Sequence, residues 1–316
     1  MLTMNINYIY LPTKYLVSVS MNRDMLRIML SIPGVLLLSI DILLILVLFK
    51  ESISVLTYEG LRIFTEFQWN AAEDPAKEVY GIIPPLVGSL YVAILAIMFA
   101  SFFSISLTVF IQEIFPYRAR FAIEELINVA STFPTVLYGL WGLTLIVPLV
   151  RQLAVKLGYV NVTGASIVTA GLVLSIMIAP YSTAIIKSVY ASVPLSYIEA
   201  IASLGATKIE RAIIVLKMIF PAIVSSLLLG FGRAVGETTA VTLVIGNAYR
   251  LPLDPFLPAS TVTSLIANNF GMATYYKYEY SALMFAALVL LITSSFFSYI
   301  GLRLANRSVR IVRGEQ

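Results

Sequence analysis

The chain has 316 residues, 59% of them hydrophobic and only 12% charged, too little polar surface to cover a water-soluble globule. It contains no cysteine and no histidine, which removes disulfides, thiolate chemistry, the usual general base and the commonest metal ligand. The expected class is an all-α integral membrane protein, with most enzyme classes disfavoured, and its net charge of +4 has to be judged by where the charges lie.

Residues 1–27 are mildly basic, with Lys14, Arg23 and Arg27, and lack a small-residue cleavage pattern, so they read as a retained cytoplasmic tail. Residues 28–49 are apolar except for Asp41 and long enough to cross a ~30 Å hydrocarbon core. Asp41 has two readings, a pathway carboxylate or a helix-end group hydrogen-bonded to a neighbour. The loop that completes the segment 28–80 is net acidic. A second span is expected at 86–111, and a third inside the charge-free interval from Glu125 to Arg151. Pro134 should kink or break that helix, and the freed carbonyls with Thr132, Thr135 and Tyr138 would then set polar groups at membrane depth. A plain packing kink is the other reading.

A fourth span is expected at 166–186, a fifth at 219–245 and a sixth at 282–302, so that 81–305 forms one block followed by a basic tail, 306–316. Six spans put both termini on one side. With the N-terminus inside, the inner segments hold thirteen of the 21 basic residues and the outer loops seven, which favours an N-in/C-in orientation. The basic excess then reports topology rather than nucleic-acid binding.

The fifth segment carries an anomaly, Gly230-Phe-Gly-Arg233-Ala-Val-Gly-Glu237-Thr238. If the helix starts near Pro221, Arg233 lies about 12 residues, or roughly 18 Å, into the membrane. A charge at that depth costs about 2.5 to 3.5 kcal/mol on insertion scales and is expected to face a partner helix or a polar cavity. Glu237, four residues on, would share its helix face and pair with it. Gly232, Gly236 and Ala240 recur every four residues on an adjacent stripe, the small-residue pattern of a packing face.

The loop 188–217 contains two apparent capping boxes. Ser196 with Glu199 opens a short helix, Gly205 supplies its left-handed end, and Thr207 with Glu210 opens a second helix that leads into span five. A short rigid helix with small residues such as Ala200 is shaped to enter a cleft on another protein, while a connector that only satisfies its own ends is the other reading. A DNA-reading helix pair is disfavoured because its second helix would run into the bilayer. In the outer loop 248–280, an amphipathic stretch at 260–270 and tyrosines at 275, 276, 278 and 280 suggest a short helix at the outer mouth, serving with residues 50–80 as a receiving surface or only as an interfacial anchor.

At these residues the chain resembles the inner-membrane subunits of ABC importers, whose cytoplasmic loop carries a Glu-Ala-Ala motif followed by Gly, here Glu199-Ala200-Ile201 with Gly205. Residues 230–247, 133–142 and 261–269 narrow the resemblance to phosphate permeases of the PstC type, and it extends over about residues 80–305. Two departures stand out. Ile201 replaces the second Ala of the motif, and Lys217-Met218 stands where the family has Leu-Pro, with Pro221 three residues on.

The resemblance implies a type I importer fold, a second related permease as heterodimer partner, two ATP-binding subunits and an extracytoplasmic phosphate-binding protein. With it, the residues already singled out become Arg233, Glu237, Thr238, Thr135 and Tyr138 as the candidate substrate pathway, and Ser196, Glu199, Ala200, Gly205 and Thr207 as the candidate coupling element. Arginine suits phosphate because its planar fork donates two parallel hydrogen bonds and stays charged when buried. Phosphate would compete with Glu237 for Arg233, opening the pair during passage; a buried pair that only fixes helix packing, with no substrate contact, is the other reading. No Gly-x-x-x-x-Gly-Lys-Ser/Thr run occurs, so no nucleotide or other cofactor is expected on this chain and ATP hydrolysis is expected on a partner. Permeases for molybdate or sulfate and a passive anion channel are the competing readings; an intramembrane enzyme is weaker, without paired membrane carboxylates.

Overall fold

The computed structural model describes residues 23–116, 118 and 120–313, and side chains within 31–305. Most of the expected N-terminal tail, 1–22, and residues 314–316 lie outside the described residues. The chain divides into two compact units, Met1–Val47 and Leu48–Gln316. In its described part the first unit is the beginning of a helix, α1 (Arg23–Glu59), and its side chains from 31 to 47 are exposed, Asp41 among them.

The second unit is built of helices. A two-residue antiparallel ribbon, β1 (Trp69–Asn70) and β2 (Val79–Tyr80), pairs Trp69 with Tyr80 ahead of α2 (Ile83–Val109). Pro84 and Pro85 fit the first turn of α2, where the missing N–H groups would have had no helical partner. The helix ends in a π turn, Phe110–Ile114. There follow α3 (Arg120–Thr132), α4 (Thr135–Trp141), a second π turn (Gly142–Ile146) and α5 (Val147–Lys156). Next come α6 (Ile167–Ala191), α7 (Leu195–Ser203), α8 (Lys208–Met218), α9 (Phe220–Gly236), α10 (Thr239–Val244), α11 (Val262–Asn269) and α12 (Glu279–Arg313).

Among the described residues, five helical stretches are long and apolar enough to cross a membrane: Ser31–Phe64, Ile83–Ile114, Thr135–Lys156, Ile167–Ala191 and Glu279–Ala305. A sixth arises only if α8 and α9, bent by 69° to each other, count as one. The expected fifth span is therefore not one rod over 219–245. Its helix stops at Gly236 and restarts at Thr239.

Close packing of α2, α6 and α9 makes the core. A Cβ on Gly171 would stand 2.8 Å from Leu95 Cβ, and one on Gly230 would stand 2.8 Å from Ile178 Cγ2, so hydrogen at these positions lets the backbones approach. Val92, Ala96, Val173, Leu174, Ile178 and Val235 fill the space between them. On the other side of α9, Ser225 donates to Gly301 O at 2.7 Å and Ser294 to Gly232 O at 3.2 Å, fixing α12 along it. Hydroxyls can bridge helices in this way because no water competes for the carbonyls. Large apolar side chains such as Phe102, Trp141, Ile176 and Phe296 stay exposed, which in a membrane means contact with lipid or a partner helix.

The third span is broken at Pro134, and the break is satisfied locally. Tyr138 donates its hydroxyl to Ala130 O at 2.7 Å, and Thr132 to Asn128 O at 3.3 Å. Outside the spans, Tyr80 donates to Glu78 at 2.7 Å, and burial together with that carboxylate holds the phenol well above its ordinary pKa. The expected short helix in the outer loop is α11, but Val262, Thr263, Ser264 and Leu265 are buried, so its first turn is part of the interior and not a surface anchor. Thr261 and Ser264 form a reciprocal cap, and the Val262 N–H donates to Ser89 Oγ of α2 at 2.9 Å, which ties that turn to the second span.

Candidate functional site

Arg233 occupies the last turn of α9, where the carbonyl end of the helix favours a cation. It is half-buried, and its guanidinium lies 5.5 Å from the ring centroid of Tyr181 on α6, a cation–π contact. Tyr181 also walls a depression of about 360 Å³ with Ser131, Ser188 and Val189. Among the described residues Arg233 forms no ion pair, so the expected Arg233–Glu237 pair is absent.

The cause is the helix break. Glu237 is extended (φ −71°, ψ 125°), so four residues no longer amount to one helical turn and its side chain leaves the face of Arg233. Its carboxylate instead accepts the Ala240 N–H at 3.2 Å, taking the place of a cap for α10. Its backbone carbonyl accepts from Thr263 of α11 at 2.8 Å. Thr238 accepts the Thr242 hydroxyl on its carbonyl at 2.7 Å and is half-buried beside the break. An irregular stretch at membrane depth is tolerated only where protein or a watery cavity satisfies the freed groups, and here Thr263, Thr242 and Glu237 do much of that.

The small-residue stripe is divided by the same break. At Gly232 a Cβ would collide with Ser298 Oγ of α12, at Gly236 it would meet nothing within 4 Å, and Ala240 packs on α4, where a Cβ on Gly139 would stand 2.9 Å from Ala240 Cα. Gly232 and Ala240 therefore serve two different contacts. Of the remaining pathway residues, Thr135 is half-buried in the first turn of α4 and Tyr138 is spent on the Pro134 break.

In the loop 188–217, α7 follows Pro194 and has no buried residue; Leu195, Tyr197 and Leu204 are exposed, as are Glu199 and Ala200. Ser196 is not its cap. Pro194 takes the capping position, so Ser196 already lies within the first turn and its side chain makes no cap bond. The second expected cap is present: Thr207 accepts from Glu210 N at 3.3 Å and Glu210 accepts from Thr207 N at 2.8 Å. Gly205 is left-handed (φ +81°), which a side chain would oppose. A shallow hollow of about 430 Å³ lies beside this turn, lined by Leu204, Ala206, Ile213 and Ile214.

Two groups of contacts had no local signal in the sequence. Tyr181 follows Pro180 in a charge-free run, and nothing in that run marks it as the partner of Arg233. Glu113, with a 4% exposed side chain, accepts from Tyr190 at 2.6 Å and from Arg211 Nε at 3.0 Å and Nη2, joining residues as many as 98 positions apart.

Residues 114–311 match the family described as binding-protein-dependent transport system inner membrane component. The chain is 37% identical over 290 residues to a probable phosphate transport system permease protein PstC of Methanocaldococcus jannaschii, covering 88% of this chain and 92% of that protein. It is 35% identical over 247 residues to the phosphate transport system permease protein PstC of Pasteurella multocida, covering 72% and 76%. A probable ABC transporter permease protein, YqgH of Bacillus subtilis, is 36% identical over 239 residues, 75% of each chain. With its apolar helices, the matched segment and these relatives, the chain is a multi-pass membrane protein that belongs to the binding-protein-dependent transport system inner membrane components, the permease subunits of ABC transporters.

Proposed function

We propose that this chain is the permease subunit of an ATP-driven importer of inorganic phosphate, supplying half of the translocation pathway beside a second, related permease. The observation that carries the substrate is the likeness, over 88% of the chain, to a protein named as a phosphate transport permease. Two features of the geometry support it. A half-buried guanidinium stands at the end of α9 beside a helix break, with no carboxylate paired to it among the described residues, and is chemically able to meet an oxyanion. An exposed helix, α7, with apolar side chains on a left-handed Gly205 turn, is suited to dock in an ATP-binding subunit.

On this reading both termini are cytoplasmic, two ATP-binding subunits hydrolyse the nucleotide, and an extracytoplasmic phosphate-binding protein delivers the substrate to the outer loops. Phosphate approaches Arg233 without first displacing Glu237, whose carboxylate is engaged by the Ala240 N–H. The substrate class is tested by competition: uptake of radiolabelled phosphate by cells expressing the complete transporter, with excess unlabelled phosphate, sulfate or molybdate. Phosphate alone should suppress the signal. Equal suppression by sulfate or molybdate would reassign the permease to another oxyanion.

A further inference from the structure

The α7–α8 hairpin meets the spans through two kinds of contact. The first is apolar: Ile198 and Ile201 of α7 and Val215 of α8 pack in a cluster with Ile186, Tyr190 and Val193 at the end of α6. Such contacts hold surfaces together but are non-directional and resist sliding weakly. The second is directional. Glu113 in the π turn that ends α2 receives Tyr190 of α6 at 2.6 Å and Arg211 of α8 through both Nε, at 3.0 Å, and Nη2. Among the described residues this is the one ion pair that links the hairpin to a span; the neighbouring Lys187–Glu124 pair joins α6 to α3, and the Thr207–Glu210 cap is internal to α8.

The covalent route out of the hairpin is poorly suited to carry a push, since α8 turns by 69° into α9. Glu113 and Arg211 are 4% and 24% exposed in their side chains, so their attraction is little screened and their geometry is fixed by three bonds on one carboxylate. The π turn itself is a local departure from helical bonding, of a kind that often accompanies functional positions.

From this geometry we infer that Glu113, Arg211 and Tyr190 form the joint that carries movement of the hairpin into the second and fourth spans. They are positioning residues: none belongs to the pathway, and their loss separates ATP hydrolysis from transport. The inference rests on the reading that α7 docks on an ATP-binding subunit.

The test uses the complete transporter in proteoliposomes, measuring phosphate uptake and ATP hydrolysis in the same preparation for Glu113→Gln, Arg211→Gln, their double variant, Arg211→Lys and Tyr190→Phe. Each Gln variant should carry at least five times less phosphate per ATP, with hydrolysis within twofold of the unaltered protein. The double variant should be no worse than the poorer single one, because the pair acts as a unit. Tyr190→Phe should show a smaller loss in the same ratio; with Arg211→Lys it decides the matter if a Gln variant fails to assemble. An unchanged ratio, with uptake and hydrolysis falling together, would overturn the joint, as would multiplicative losses in the double variant. If the ATP-binding subunit does not co-purify even with the unaltered chain, the docking reading fails first and the joint with it.

Discussion

Arg233 is the residue on which the proposed phosphate contact rests. Its depth in an apolar run marked it as costly and therefore as a candidate for function, and it does stand half-buried at the end of α9. Its partner was not legible, because helical spacing assigned Glu237 while the break gave it Tyr181. Arg233→Lys should lower phosphate uptake about tenfold or more, since a charge-assisted bond is worth about 1.5 to 3 kcal/mol and lysine lacks the planar fork. Glu237→Gln keeps an oxygen for the Ala240 N–H and should transport nearly normally, whereas Glu237→Ala loses the cap, at about 1 kcal/mol, and should lower thermal stability. Uptake rates and unfolding midpoints in detergent check these outcomes; unaltered uptake in Arg233→Lys would remove Arg233 from the pathway. Gly139→Leu, driven into Ala240 and Leu243, should cost about 1 to 3 kcal/mol by overpacking and lower the midpoint by a few degrees.

Among the elements, span two, span four and span six were legible because long charge-free runs leave little choice of state, and the Pro134 break because proline removes a donor. The break after Gly236 was not. Gly-Glu-Thr-Thr contains no proline, and glutamate is an uncommon cap, so periodicity carried straight through it. The loop helices were half legible. Thr207–Glu210 caps as its spacing suggests, while Ser196–Glu199 has the same spacing but falls two positions too late, behind Pro194 and Leu195. Gly205→Pro should uncouple hydrolysis from uptake, since proline holds φ near −65° and the turn needs +81°. Hydrolysis and uptake assayed together would check this, and a wild-type ratio would leave the turn a plain connector.

For the whole molecule, the basic-residue asymmetry predicts the N-in/C-in orientation proposed above, which can be mapped directly because the chain has no cysteine to remove. Single cysteines at Ser203, in α7, and at Thr65, in the outer loop, should react with an impermeant thiol reagent from opposite sides: Ser203→Cys from the cytoplasm and Thr65→Cys from outside. Labelling of both from one side would refute the proposed topology. Contacts such as Glu113–Arg211 and Thr263–Glu237 were invisible at this scale for a simple reason, since they join residues far apart in the chain and leave no trace in local pattern. Direction of transport and its dependence on ATP are likewise properties of the assembly. The most direct measurement is phosphate uptake into proteoliposomes holding the complete transporter with its binding protein, with and without ATP at the hydrolysing face. An ATP-driven permease accumulates phosphate against the gradient only with ATP; equilibration at the same rate without ATP would make the chain part of a passive channel instead.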